Sequence, residues 1–232
     1  MSWPDVAIIS LFRDHERLMP QYIRQIEMLD YPRQQMDLVA VEGDSIDNTL
    51  AMLEGWPDKR LHLIQRTMHL PKFPSIANPV RLRAMSVIGN AGLEYVARRL
   101  NVEYILWLES DLIIRPDLLK RLIIRRPAAI APMVWVEIQA GRPVFYDTWG
   151  FRKLDGTRFP QNERNWYANM FPRQPFEVQS AGSAVLIEAS YIYDGARFDD
   201  EAIVGLCKQL RSAGCTILCD PSTHIQHPWP RG

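Results

Sequence analysis

Glu109 and Asp111 flank Ser110 at the end of the apolar run Tyr104 to Leu108, inside the stretch VEYILWLESDLIIRP. Ionised carboxylates at the edge of an apolar core need a partner, and a divalent cation with oxygen ligands suits two that alternate along a strand end. Both can reach one ion, or one can hold the ion while the other holds a ligand hydroxyl; a solvated acidic strand end would carry the same residues. His224 and His227 stand near the C-terminus of a chain with five histidines, and such a pair can add an imidazole to a metal otherwise bound by oxygens. Asp147 lies among aromatics in FYDTWGFR, Phe145 to Arg152. A ring offers an apolar face to a sugar and a carboxylate takes its hydroxyl protons, although a half-buried hairpin would use the same residues. Ala181-Gly182-Ser183 enters the last part of Glu177 to Ile187, and backbone at such a glycine can approach a ligand closely.

The elements that must position these groups follow from periodicity. Val6 to Phe12 is a continuous apolar run rich in β-branched residues, which predicts a strand covered on both faces. Leu18, Tyr22, Ile26 and Leu29 then recur at helical spacing up to Asp30-Tyr31-Pro32, where the residue before proline leaves the helical region. Met36 to Val41 predicts a second strand, ending in Glu42-Gly43-Asp44-Ser45, and a helix follows from near Asn48 to Trp56. Arg60 to Gln65 predicts a third strand. The β-α-β-α-β order predicts a doubly wound parallel sheet with its ligand site at the carboxyl ends of the strands.

His69 to Pro79 is a proline-rich loop by composition, and a long helix begins at Val80, on which Arg83 and Asn90 share a face. After the Glu109 strand come a helix over Asp117 to Ile124 and a strand over Ala128 to Val136. Gly141 to Pro175, rich in aromatics, glycine and proline, predicts a hairpin and a long loop over the site. Asp200 to Ala213 predicts a helix closed by Gly214, and Cys215 to Leu218 the last strand.

Composition excludes several classes. Lys+Arg equals Asp+Glu at 27 each, so no basic surplus draws nucleic acid or an anionic membrane wholesale. Hydrophobic content of 47% with 23% charged residues is that of a soluble globular chain. Cys207, Cys215 and Cys219 show no CxxC spacing and read as reduced core thiols; with no membrane-length apolar run and no leader pattern, the expectation is a cytoplasmic protein.

Four stretches together resemble nucleotide-sugar glycosyltransferases of the GT-A fold. Glu42 to Thr49, EGDSIDNT, is similar to their DGSxDxT turn; Glu109-Ser110-Asp111 resembles their DxD motif; Arg81 or Arg83 through Asn90 is similar to the helix before it; and PSTHIQH is similar to the strand end that supplies a metal-binding histidine, in a register that points to His227. The likeness runs from Val6 to His227. The turn, the FYDTWGFRKLDG segment and the small-residue strand resemble, more narrowly, the retaining fungal α-mannosyltransferases of mannan and capsule synthesis, which use GDP-mannose; without their membrane anchor, a bacterial or viral relative is implied.

The resemblance implies one α/β GT-A domain over 1–232, Rossmann-like, with a mostly parallel central sheet flanked by helices and a small hairpin and loop region over the site. Residues 1–111 would form the nucleotide-binding half and 112–232 the acceptor half. Mn²⁺ or Mg²⁺ would be held by Asp111 and His227, with Glu109 on the ribose or a metal-bound water. Phe12, Arg13, Glu42 and Asp44 would hold base and ribose, Arg81 or Arg83 the diphosphate or sugar, and Asp147, Trp149 and Gly182 the sugar pocket. Inverting relatives carry a Glu-Asp pair as base where Ala202 and Ile203 stand here, so either Asp200 or Glu201 is the base or the enzyme retains configuration. The expected partners are a nucleoside diphosphate sugar, GDP-mannose or a UDP-sugar, and a hydroxyl acceptor that is a glycan, lipid, protein or modified nucleobase. A nucleotidyltransferase would show a glycine-rich, lysine-bearing loop after the first strand, and SLFRDHER has no glycine. A non-catalytic module that binds a nucleotide sugar is the other competing class.

Overall fold

The computed structural model describes residues 2–73, 78–139, 141–162, 167 and 174–228. The parts of the expected loops at 74–77, 163–166 and 168–173 lie outside the described residues. Among the described residues nine strands form one sheet in the order β3-β2-β1-β4-β8-β5-β9-β7, with β6 paired to β5. Strands β1 (Val6–Phe12), β2 (Met36–Glu42), β3 (Leu61–Gln65), β4 (Tyr104–Leu108), β5 (Ala129–Gln139) and β9 (Ile217–His227) run in one direction. Strands β6 (Arg142–Phe145), β7 (Phe176–Glu177) and β8 (Ala184–Glu188) run against them. The molecule is thus a single α/β domain whose central sheet is mostly parallel.

Helices α1 (Met19–Glu27), α2 (Thr49–Glu54), α3 (Pro79–Arg99), α4 (Leu118–Ile123), α5 (Ser190–Tyr193) and α6 (Ile203–Ser212) flank it. Side chains of β1 alternate between faces. The Tyr22 hydroxyl of α1 donates to Ser10 Oγ at 2.8 Å, and Phe12 meets Tyr22 edge-on, so the even-numbered residues of β1 face α1. Ile9 faces α3 on the other side, where Gly92 lets the helix backbone come close.

Two boundaries differ from the sequence reading, each for a local reason. Helix α6 begins at Ile203 rather than Asp200, because Asp199 Oδ1 accepts the Glu201 N–H at 2.8 Å and Ala202 sits at φ 50°, a turn that precedes the helix. The Ala181-Gly182-Ser183 kink leads into β8 as the sequence reading has it, with Ser183 at φ 35°. Strand β9 continues far past Leu218 to His227. Its pairing with β5 shifts between Pro132 and Met133, where Asp220 caps Ser222 N at 2.9 Å and Thr223 Oγ1 at 2.9 Å. Such a bulge re-aims the residues that follow it. No helix among the described residues is long and apolar enough to cross a membrane.

A Cβ on Gly92 would lie 2.8 Å from Ile9 Cγ2 and 3.2 Å from Val41 Cγ2, both β-branched core side chains in central strands. Gly92→Ala gains about 1 kcal/mol of helix propensity but forces α3 off the sheet, and overpacking of this kind costs about 1–3 kcal/mol. Urea unfolding is expected to show a net loss of stability; a variant more stable than wild type would contradict the close approach.

Candidate active site

The parallel strands β1, β2 and β4 end at the same edge of the sheet, and β9 brings its own end to that edge. A two-way backbone bridge joins Ile113, just past the acidic turn, to Gln226, with N···O distances of 2.7 and 3.0 Å. That bridge places Asp111 against His227: Oδ2 lies 3.0 Å from Nε2. His227 stacks on Tyr146 with ring centroids 3.8 Å apart and planes 16° from parallel. Its Nδ1 lies 2.7 Å from the Pro228 carbonyl, an acceptor only, so Nδ1 carries a proton and Nε2 is the atom aimed at Asp111.

Glu109 continues the β4–β8 ladder through its N–H, which donates to Ser183 O at 2.8 Å. Burial, and then the negative charges of Asp111 and Asp147, push its carboxyl up to about 8. Asp111 moves the other way: burial raises it, but the hydrogen bond and charge of His227 outweigh that and hold it below the usual carboxylate range. Asp147, 8% exposed, is raised by burial despite accepting Gly150 N–H at 2.8 Å and Ser183 O–H at 3.1 Å. A Cβ on Gly182 would lie 2.2 Å from Asp147 Oδ2, so only glycine leaves room for that carboxylate. Arg81 acts electrostatically on Glu109 and on Tyr146. These residues form one cluster: Glu109, Asp111, Asp147, Gly182, His227 and Arg81.

The remaining expected residues are placed elsewhere or differently. Arg83 pairs with Asp200 at 3.1 Å on the surface, both side chains about 70% exposed by their 69% and 73% values. Glu201 pairs with Lys208. Asn90 clamps Phe198, donating to its carbonyl at 3.0 Å and accepting its N–H at 2.8 Å. Phe12 is 2% exposed and its ring packs on Tyr22 and His15, so it offers the strand end only backbone. Trp149 is half-buried against the core. Glu42 accepts Ser45 N–H at 3.0 Å. Arg13 donates to the Leu70 and Pro71 carbonyls, and its buried Nε has no hydrogen-bond partner. Asp44 accepts the backbone N–H groups of Met68, His69 and Leu70 at 2.8, 2.9 and 3.0 Å.

The donor set fits a divalent cation. Buried Asp111 Oδ1 has no hydrogen-bond partner among the described residues, and beside it stand Asp111 Oδ2, the Nε2 side of His227 and Glu109. Among the described residues no three acidic, histidine or cysteine side chains are grouped so as to hold a metal ion, so the chain would supply at most two ligands, Asp111 and His227. Mg²⁺ and its analogues often take only one or two protein ligands and complete their shell with substrate phosphates and water. Ser183 and Tyr146 were not singled out as site residues from sequence. The signals available were the small-residue kink and the aromatics around Asp147, but neither says which strand ends meet.

Solved glycosyltransferases superpose on nearly the whole chain, which gives it a GT-A-like glycosyltransferase fold. Residues 3–145 match the glycosyltransferase family 25 N-terminal domain, and the chain belongs to that family. Human inactive glycosyltransferase 25 family member 3 is 28% identical over 142 residues, covering 56% of this chain and 24% of that protein. Mouse procollagen galactosyltransferase 2 is 27% identical over 142 residues, covering 56% of this chain and 23% of the relative. The chain therefore spans about a quarter of the length of these curated relatives, by the 24% and 23% values. The mannosyltransferase of Pyrobaculum calidifontis, solved with GDP-Man and Mn²⁺, superposes with a TM-score of 0.62 at 14% identity, covering 98% of this chain and 58% of that one.

Asp44 supplies a pH test of the loop it holds. Burial raises its pKa, but its three backbone donors and the Arg13 charge outweigh that and lower it. A carboxylate with a depressed folded pKa contributes stability that is present above its unfolded pKa of about 3.9 and is lost as pH falls through the folded value. Asn tolerates the left-handed backbone seen at Asp44, φ 62°, so Asp44→Asn is a clean probe. At pH 7 it is expected to cost about 1 kcal/mol in denaturant unfolding. The gap should close below about pH 4; a gap independent of pH would show that the carboxylate charge is immaterial.

Proposed function

We propose that the chain is a metal-dependent glycosyltransferase that moves a sugar from a nucleoside diphosphate sugar to a hydroxyl acceptor, with retention of configuration. The observation that carries this reading is the buried, unpartnered Asp111 Oδ1 beside His227 and Glu109, at the strand ends of a family 25 domain. Mn²⁺ or Mg²⁺ held by Asp111 and His227 would neutralise charge on the leaving diphosphate. Residues 1–111 act as the nucleotide half and 112–232 as the acceptor half. Arg13, Glu42 and Asp44 with the backbone at Phe12 hold base and ribose, and Arg81 faces the diphosphate. Glu109 takes a hydroxyl or a metal-bound water. Asp147, fixed by Gly150 and Ser183, takes donor-sugar hydroxyl protons, with Gly182 and Trp149 bounding the pocket. In the transfer the anomeric carbon leaves the diphosphate oxygen and joins the acceptor oxygen, which gives up its proton.

Retention is supported by the state of Asp200 and Glu201, whose charges are committed to Arg83 and Lys208 on the surface. The donor is GDP-mannose or a UDP-sugar: the fold neighbour carries GDP-Man, while the curated relatives include galactosyltransferases. Free, buried Cys207, Cys215 and Cys219 support a reducing compartment such as the cytoplasm. A second reading, a nucleotide-sugar-binding module without turnover, is favoured by the relative described as inactive.

Thermal unfolding against UDP, GDP, CDP and TDP, each with Mn²⁺, Mg²⁺ or chelator, tests the site, because a ligand that binds only the native state raises the melting temperature. A metal-dependent rise with one nucleotide is expected; no rise with any of them would overturn the proposal. Donor hydrolysis or transfer separates an enzyme from a binding module. Asp111→Asn is expected to stay folded and to lower turnover by at least about a hundredfold. Wild-type turnover in that variant would remove Asp111 from the mechanism.

A further inference from the structure

Ser110 lies between the two carboxylates, is 5% exposed, and points away from them. Its Oγ is 2.6 Å from the Leu11 carbonyl of β1 and 2.9 Å from His15 Nε2. A carbonyl can only accept, so Ser110 donates to Leu11; His15 Nε2 is the second partner of its oxygen, and His15 Nδ1 lies 3.2 Å from the Arg13 carbonyl. The imidazole is held in turn by its edge-on contact with Phe12, ring centroids 5.9 Å apart, and by its own backbone N–H, which donates to Thr49 Oγ1. Thr49 Oγ1 donates to Asp47 Oδ1, and Asp47 Oδ2 accepts the Glu16 N–H at 3.0 Å. One continuous hydrogen-bonded chain therefore runs from the EGDSIDNT turn after β2, through His15, into the turn that carries Glu109 and Asp111.

A second serine mirrors the first. Ser10 Oγ donates to the Leu108 carbonyl at 2.7 Å, so β1 and β4 are clasped reciprocally just beyond the point where their ladder ends at Ile9 and Trp107. Ser10 is backed by the Tyr22 hydroxyl from α1 as Ser110 is backed by His15.

We infer that His15 is a positioning residue: through Ser110 it sets the direction of the Glu109–Asp111 turn, and it couples that turn to the one after β2. The inference rests on the proposed cation site for its metal readout, while the linkage itself is independent of any metal. His15 makes no hydrogen bond to the expected ligands; beside its electrostatic action on Asp111, its route to the turn is the hydrogen bond to Ser110. Groups that orient metal ligands from behind commonly change affinity by about 10- to 100-fold when removed.

The test uses His15→Phe, which keeps a ring against Phe12, together with Ser110→Ala, the double variant, and His15→Gln, whose amide N–H can reach Ser110. Mn²⁺ affinity is read by the loss of the free-ion electron paramagnetic resonance signal, without donor or acceptor. Affinity is expected to fall about 10- to 100-fold in His15→Phe and in Ser110→Ala. The double variant should be no weaker than the worse single, and His15→Gln should recover most of the loss. Wild-type affinity in a folded His15→Phe, or losses that simply multiply in the double variant, would overturn the inference. Urea unfolding of the same four proteins supplies a second, metal-free cycle. Should wild type bind no Mn²⁺ without nucleotide, the proposed function is decided by the nucleotide panel and the inference by this cycle alone: non-additive effects sustain it and additive effects overturn it.

Discussion

Negative charge held in an apolar place is the constraint on which the rest of the structure depends. Glu109 and Asp111 come from one turn and Asp147 from a segment well beyond it in the chain, and burial raises the pKa of Glu109 and Asp147. Desolvating a carboxylate costs several kcal/mol even after relaxation, so such a cluster persists only where the surrounding fold fixes it. His227 answers the charge of Asp111, and Ser183 and the Gly150 N–H answer that of Asp147. Arg81 acts on Glu109 from α3. What is left over, the unpartnered Asp111 oxygen and the protonated tendency of Glu109, describes a place built to receive positive charge.

The sheet is arranged so that these groups can meet. Antiparallel β8 sits between β4 and β5, and its entry turn carries Gly182 and Ser183 against Asp147. Parallel pairing of β5 with β9 sends His227 to the same edge as the acidic turn, and the Asp220-capped bulge sets its final direction. The Ile113–Gln226 bridge then locks that edge across the gap between β4 and β9. Each device is backbone geometry, and each exists to aim a side chain.

The turn after β2 acts differently from what its motif alone conveys. Asp44 holds the 68–70 backbone, Ser45 accepts from Asp14 N, and Asp14 accepts from Ile46 N. Most of the polar atoms in EGDSIDNT are thus bound to neighbouring loops. A motif that resembles a nucleotide-binding turn is also the lacing that keeps two strand-end loops together, and pre-organised loops lower the ordering cost of binding a ligand.

Local pattern was enough for much of this protein. Continuous apolar runs marked β1, β2 and β4, helical spacing marked α1 and α3, and an acidic triplet after a buried strand marked the centre of the site. These features depend on neighbours in sequence, where the period of the backbone shows directly. The partners of Asp111 and Asp147 did not show in this way, although His227, Gly182 and the aromatics could each be suspected from their surroundings. Nothing in the sequence separates Arg81, which acts on Glu109, from Arg83, which pairs with Asp200, because two residues on one helix differ only in which way they face partners on other elements. The same holds for His15, an ordinary loop histidine until β1 and β4 are side by side. Sequence determined which elements form and which residues can do chemistry; tertiary structure decided which of them meet, because sheet order, a bulge and a crossing bridge are set by long-range packing rather than by the local period of the chain.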